Sequence, residues 1–135
     1  VNFIDSRYRT IAKKNKRAVA GLSMGGFHTM FISANHPGLF DYIGLFSAGL
    51  NMSTVNFDTP AYSNMTGKLS DLDKAGYKLY WIACGTDDFL YQNNLDFMKT
   101  LDEIDFEYTY HESDRGHIWA NWRQYLLLFT PMLFK

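Results

Sequence analysis

Residues 18–31 read AVAGLSMGGFHTMF, a stretch in which the pattern of apolar residues changes at a serine. Small and β-branched residues over 17–22 predict a short strand that is buried on both faces. After Ser23 the apolar residues recur at i, i+3, i+4 and i+7, which predicts a helix packed on a sheet: Phe27, Met30, Phe31 and Ala34. A serine therefore stands where a strand turns into a helix.

Ser23 has two interpretations at this turn. Serine is a common helix cap, and glycines are common in turns, so the residue could be purely structural. Alternatively, Gly21, Ser23 and Gly25 complete a G-x-S-x-G pattern, in which a sharp turn lifts a nucleophilic serine clear of the sheet. In that case we expect side chains at positions 21 and 25 to collide, and the backbone N–H of Met24 to point at a developing oxyanion. The adjacent Gly26 would allow close packing of the helix on the strand.

The rest of the chain continues the alternation of strands and helices. Apolar runs predict strands over 42–46, 77–84 and 106–111, and helical spacing predicts helices over 3–11, 69–75, 91–104 and 118–129. Residues 51–68 have no clear period and predict an irregular surface excursion. Such alternation is typical of the α/β class, with a parallel sheet of about four strands flanked by helices. We find no repeat or linker, so we expect residues 1–135 to form a single domain.

Composition excludes several kinds of function. With 13 basic and 14 acidic residues the formal net charge is −1, which disfavours a nucleic-acid or anionic-membrane surface. No apolar run approaches the roughly 18 residues needed to span a bilayer. The lone cysteine, Cys84, excludes an internal disulfide. CxxC, HExxH and calcium-loop patterns are absent, so we expect no metal and no cofactor.

A nucleophilic serine needs a histidine base. His117 follows a glycine and a predicted strand and precedes a helix, so its ring can reach over the sheet edge. The other three histidines fit the role less well. His28 lies within the helix after Ser23, His36 lies at the end of that helix, and His111 closes a strand.

The base needs a carboxylate to orient it. Asp87 and Asp88 lie in the loop Gly-Thr-Asp-Asp-Phe-Leu after the strand predicted over 77–84, and the residues alone leave both open. Asp114 is close to His117 in the sequence, but a solvated turn suits it better.

Three segments together resemble one family. GLSMGG at 21–26, GTDDFL at 85–90 and RGHIWANWR at 115–123 are similar to the motifs of carbohydrate esterase family 1, the feruloyl and acetyl-xylan esterase group of α/β-hydrolases related to esterase D. The resemblance covers essentially the whole chain. It implies that Ser23 is the nucleophile, Asp88 the acid and His117 the base, with Asp87 at a variable position.

The family's domain is longer, and the resemblance places this chain in its carboxy-terminal half. The earlier strands, and the upstream loop that supplies the second oxyanion N–H, would then lie outside residues 1–135. The strand before Ser23 would become an open edge. We therefore expect either self-association or a missing amino-terminal half across that edge.

The resemblance implies two-step acyl transfer to water from a carbohydrate-linked ester, either feruloyl or acetyl, without a cofactor. Trp119, Trp122 and Tyr62 are candidate platforms for a phenolic acid or sugar, although core packing is the alternative for Trp119 and Trp122. Other activities of the same fold are formylglutathione hydrolase, siderophore esterase and acyltransferase, and a further alternative is an inactive fragment that only associates. The resemblance implies a secreted or periplasmic protein, whereas residues 1–22 show no signal-peptide layout.

Overall fold

The computed structural model describes residues 1–50 and 59–135. The elements are α1 (Asn2–Arg7), β1 (Ala18–Leu22), α2 (Met24–Asn35), β2 (Tyr42–Phe46), α3 (Met65–Ala75), β3 (Leu79–Gly85), α4 (Tyr91–Asp102), β4 (Thr109–Ser113) and α5 (Trp119–Phe129). Short 3₁₀ turns cover Lys14–Lys16 and Thr130–Met132. The predicted alternation is confirmed. No helix in these two ranges is both long and apolar enough to cross a bilayer.

The described strands form one parallel sheet in the order β1-β2-β3-β4. Leu22 lies opposite Phe46, Phe46 opposite Ala83, and Gly85 opposite Ser113. All the strands therefore end at the same edge of the sheet. The loops that follow them meet there, which is where open α/β sheets place their ligand sites.

Helices cover both faces of the sheet because the strands alternate apolar side chains. Ile43 and Leu45 of β2 belong to a cluster that includes side chains of α2, α3 and α4. Tyr42 and Phe46 belong to a second cluster with Tyr125 and Phe129 of α5. Burial of each such side chain contributes about 1.5–3 kcal/mol to folding, so the two clusters fix the sheet between its helical layers.

Three predicted boundaries are wrong by three residues or more. Helix α1 ends at Arg7 rather than at residue 11, because Tyr8 adopts an extended backbone and no residue of the helix is buried. Helix α3 begins at Met65, four residues earlier than predicted and within the segment predicted to be irregular, because the side chain of Met65 is buried in the core. Of that predicted excursion, residues 51–58 lie outside the described residues. Strand β4 covers Thr109–Ser113 rather than 106–111, because Phe106 packs into the core before the strand starts.

Strand β1 is only half-buried, which corrects the prediction of a strand buried on both faces. Every residue of β2 is buried, whereas β1 has intermediate exposure and Ala20 is exposed. The physical reason is its position, since β1 lies at the end of the described sheet with only β2 beside it. The structure thus places β1 at an open edge of the described part of the chain, as the resemblance implied.

Candidate active site

Ser23 occupies the N-cap position of α2 but does not act as a cap. Its side chain makes no capping hydrogen bond, and its backbone has a φ of 53° and a ψ of −120°. A positive φ is strained for a residue with a Cβ, and such strain is concentrated at functional sites. The Ser23 N–H donates to the carbonyl of Phe46 at 2.9 Å, which ties the turn to the end of β2. The turn therefore leaves the Oγ of Ser23 available for another partner.

The glycines around Ser23 have different roles. A Cβ on Gly21 would lie 2.2 Å from the carbonyl carbon and oxygen of Gly25, so the turn requires glycine at position 21. The predicted collision at Gly25 is wrong, because a Cβ built there meets no described atom within 4 Å apart from its chain neighbours and the backbone of its own helix. A Cβ on Gly26 would lie 2.4 Å from that of Ala48 and 3.1 Å from the carbonyl oxygen of Gly21, as close packing requires.

His117 bridges Ser23 and Asp88. Its Nε2 lies 2.9 Å from the Oγ of Ser23, and its Nδ1 lies 2.9 and 3.1 Å from the two carboxylate oxygens of Asp88. Asp88 is 5% exposed, and its Oδ1 also accepts the backbone N–H of Leu90 at 2.9 Å. A buried carboxylate on Nδ1 favours the tautomer whose Nε2 can accept a proton. The chain of contacts can therefore move the hydroxyl proton of Ser23 to His117.

The structure separates the candidates that the sequence left open. Asp87 is exposed and contributes its backbone N–H to the carbonyl of Arg115, whereas Asp88 faces His117. Of the other histidines, His28 and His36 are exposed on or beside α2, and the ring of His111 stacks on Trp81. Only His117 is shown within hydrogen-bond distance of Ser23.

Met24 is the first residue of α2, where backbone N–H groups have no partner within the helix. The N-terminus of the helix also carries a partial positive charge beside Ser23. Both features would stabilise the negative oxygen that forms when Ser23 attacks a carbonyl group. The Met24 N–H therefore stays a candidate oxyanion donor.

The loops that carry Asp88 and His117 are joined along their backbones. Thr86 N–H donates to the carbonyl of Ser113 at 2.9 Å, and Asp87 N–H to that of Arg115 at 3.1 Å. These contacts continue the β3–β4 pairing beyond the ends of the strands. Asp88 and His117 are consequently held as one unit.

Aromatic rings surround the imidazole of His117. Phe89 lies at a centroid distance of 4.6 Å and Trp122 at 4.8 Å, edge-on. Sequence analysis missed Phe89, although its place directly after Asp88 is a usable signal. For Trp122 the sequence left a platform role and core packing open; the residue packs against the second hydrophobic cluster, and its ring also meets that of His117.

The other two predicted platforms, Trp119 and Tyr62, lie in different surroundings. Trp119 is 64% exposed and its ring meets that of Trp122 at 5.2 Å, so it extends the aromatic surface beside His117. Tyr62 packs instead against Phe27 and Phe31 of α2, at centroid distances of 6.2 and 4.6 Å. Trp119 is therefore linked to His117 through the ring of Trp122, whereas Tyr62 contacts aromatic rings of α2.

Cys84 lies on β3 close to Asp88 but is not a second nucleophile. The thiol is buried, and this burial, together with the negative charge of Asp88, raises the pKa of Cys84 to about 12. The reactive form of cysteine is the thiolate. At pH 8 the thiol of Cys84 is therefore almost entirely protonated.

We expect Cys84 to resist a disulfide reagent such as 5,5′-dithiobis(2-nitrobenzoate) in the folded protein. Neither the ionisation nor the accessibility that the reaction needs is present. In denaturant one thiol per chain should react, which provides the control. Rapid, stoichiometric release of the chromophore from native protein at pH 8 would contradict the buried position.

No three His, Cys, Asp or Glu side chains in residues 1–50 and 59–135 are grouped so as to hold a metal ion.

Comparison with known proteins relates the chain to esterases. A family model described as "Putative esterase" matches residues 1–131. An acetyl esterase of Caldicellulosiruptor saccharolyticus is 25% identical over 152 residues, covering 93% of this chain and 57% of that protein. An endo-1,4-beta-xylanase/feruloyl esterase of Xylanibacter ruminicola is 49% identical over 49 residues, covering 36% of this chain and 7% of that protein.

Solved structures share the fold. A CE1 ferulic acid esterase of Anaeromyces mucronatus, in complex with ferulic acid, gives a TM-score of 0.80 at 16% identity, covering 98% of this chain and 50% of that one. The S-formylglutathione hydrolase of Staphylococcus aureus gives a TM-score of 0.78 at 23% identity, covering 97% and 56%. The chain thus spans about half the length of the acetyl esterase and of these structures.

Proposed function

Since this chain belongs to the esterase family, we propose that residues 1–135 form a catalytic domain that hydrolyses carboxylic esters through an acyl-enzyme on Ser23. One observation carries the proposal. The Oγ of Ser23 lies 2.9 Å from Nε2 of His117, whose Nδ1 is held by the buried carboxylate of Asp88. This is the arrangement that serine hydrolases use on unrelated folds.

In the proposed reaction the Oγ of Ser23 attacks the ester carbonyl while Nε2 of His117 takes its proton. Asp88 stabilises the imidazolium, and the Met24 N–H stabilises the oxyanion. Collapse of the tetrahedral intermediate breaks the ester C–O bond, and His117 gives the proton to the leaving alcohol. Water activated by His117 then attacks the acyl-enzyme, which releases the acid and restores Ser23.

Reaction with a fluorophosphonate probe tests the nucleophile. We expect one probe per chain, located on Ser23 by peptide mass spectrometry, because the reagent reacts with an activated serine. Ser23→Ala should abolish the labelling, and heat-denatured protein should not label. Labelling of the wild-type chain at another residue, or unchanged labelling of Ser23→Ala, would overturn the assignment.

For the substrate we propose an acyl ester on a plant polysaccharide, feruloyl or acetyl. The support is similarity to the acetyl esterase and to the xylanase/feruloyl esterase, together with the exposed Phe89 and Trp119 near His117, whose rings could contact a phenolic acid. Rates on methyl ferulate, acetylated xylan and S-formylglutathione compare the candidates. A preference for S-formylglutathione would favour the activity of the Staphylococcus structure instead.

For the partner we propose that the remaining half of the family's domain pairs with β1. The support is the open edge of β1, the exposed Leu126 and Leu127 on α5, and coverage of about half of the similar structures. That half would also supply a second oxyanion N–H, and loss of one such donor costs about 10²–10³ in rate.

A fusion tests this partner by placing the amino-terminal part of the Caldicellulosiruptor acetyl esterase before Val1. We expect the fusion to react with the fluorophosphonate at least tenfold faster than residues 1–135 alone. Sedimentation equilibrium of the 135-residue chain provides the second arm. A concentration-dependent dimer whose labelling rate rises with dimer content would replace this partner by a second copy of the chain. A stable monomer as reactive as the fusion would overturn the need for either.

A further inference from the structure

His117 lies in an exposed loop, yet its reaction requires accurate placement. The loop runs from Ser113 at the end of β4 to Ile118 before α5, and Arg115 within it has a positive φ of 63°. Such a conformation is costly for a residue with a Cβ and persists only where its surroundings hold it. Some part of the core must therefore fix the loop.

Besides the bond from the Asp87 N–H to the Arg115 carbonyl, the side-chain amide of Asn121 makes two contacts that hold the loop from the core side. Its Nδ2 donates to the carbonyl of Asp114 at 2.9 Å and to that of Gly116 at 3.2 Å. These carbonyls lie on either side of Arg115, and the second immediately precedes His117. Asn121 is 2% exposed, so its amide hydrogens have no competing bulk water. Both hydrogen bonds act directly on the backbone that carries the base.

The anchor of Asn121 is rigid. It lies one turn before Tyr125 and two turns before Phe129. Both of these residues pack against the sheet in the second hydrophobic cluster. Three residues of α5 at a spacing of four are thus buried, two of them apolar and the first an amide. In the sequence, the signal for this role is an asparagine at the first of three positions of which the other two, Tyr125 and Phe129, are aromatic.

Gly85 closes the other side of the loop. A Cβ at that position would lie 2.1 Å from the carbonyl oxygen of Arg115 and 2.7 Å from Nδ2 of Asn121. Gly85 also accepts the backbone N–H of Asp88 at 3.1 Å, which starts the acid loop. The histidine loop is therefore held between Asn121 and the residue from which the acid loop departs.

We propose that Asn121 is a positioning residue, which sets the distance of His117 from Ser23 and Asp88 by holding the carbonyls of Asp114 and Gly116. The inference rests on the proposed ester hydrolysis for its kinetic consequence. Its geometric consequence, the bond between Nδ1 of His117 and Asp88, can be measured without catalysis. A solely structural role would lower stability and leave both consequences unchanged.

Asn121→Asp tests the proposal because it keeps the size of the side chain and replaces both N–H donors by an oxygen that repels the loop carbonyls. With 4-nitrophenyl acetate we expect kcat to fall by about 10²-fold with KM within about threefold, since a displacement of about 1 Å in a reacting group costs that much. The downfield proton resonance of the Nδ1–H of His117 should weaken or disappear. Asn121→Ala, which lacks the repulsion, provides a second variant if the aspartate does not fold.

Leu72→Ala is the matched control, because Leu72 is fully buried in α3 on the opposite face of the sheet. It should lower Tm without changing kcat or the downfield resonance. Asn121 variants that lose Tm but keep kcat within threefold and retain the resonance would overturn the proposal. A wild-type chain that shows the resonance but does not hydrolyse the ester would contradict the proposed function, and loss of the resonance in the variants would still support positioning by Asn121.

Discussion

Replacing Asp88 with Asn is expected to lower kcat by about 10⁴-fold, whereas the same substitution at Asp87 should leave kcat within about threefold. The two residues are adjacent and chemically identical, so the contrast depends only on their surroundings. Asp88 is buried with its carboxylate on Nδ1 of His117, and Asp87 is exposed. An amide at position 88 would present an N–H to Nδ1 and favour the tautomer protonated on Nε2, which cannot take the proton of Ser23.

Steady-state kinetics with 4-nitrophenyl acetate and the rate of fluorophosphonate labelling measure this contrast. The two readouts should fall together in Asp88→Asn, because both depend on activation of Ser23. Circular dichroism of both variants checks that the fold is retained. Equal losses in the two variants would mean that the carboxylates share the role, and a greater loss at Asp87 would reverse the assignment.

Gly21→Ala is expected to destabilise the chain by about 3 kcal/mol or more, the upper range for forced overpacking. The added Cβ would lie 2.2 Å from the backbone of Gly25. Because the atoms that it meets are backbone atoms, no flexible side chain can move away to relieve the clash. Relief requires opening the turn at Ser23 or the first turn of α2. The variant should therefore lose fluorophosphonate labelling as well as stability.

Gly25→Ala supplies the matched control for this steric argument. A Cβ there meets no described atom within 4 Å apart from its chain neighbours and its own helix backbone, and alanine in a helix is about 0.5–1 kcal/mol more favourable than glycine. Urea denaturation of the two variants should separate them by several kcal/mol. Equal free energies of unfolding would show that the turn at Ser23 is less tightly packed than the structure indicates.

Local sequence patterns were enough to predict the parts of the fold that depend on residues close together in the sequence. The strand, turn and helix around Ser23 are encoded within residues 18–31, and the order of all the elements followed from similar runs. The choice between Asp87 and Asp88 could not be made that way, because burial depends on β4 and α5, which are distant in sequence. The resemblance pointed to Asp88, and the contact with His117 agrees with it.

The errors have physical causes of the same kind. Phe106 has the apolar character of a strand residue, but the chain turns at Asp105 with a φ of 54° and places the ring against Tyr77 and Tyr80. The polar segment before Leu69 looks irregular, yet Met65 is buried in the core and brings the start of α3 with it. In the G-x-S-x-G motif, the steric clash that requires glycine occurs at Gly21 and not at Gly25. For Phe106 and Met65, a tertiary contact overrides the local pattern.

The junction between the acid and histidine loops has a consequence for the order in which the chain folds. Asp88 and His117 are 29 residues apart, whereas Ser23 and His117 are 94 apart. Closing the longer loop costs more chain entropy, and contacts between distant residues form slowly. We expect the acid–base pair to assemble with β3, β4 and α5 before Ser23 reaches it. The appearance of a reactive serine during refolding would then report the last long-range contact of the chain.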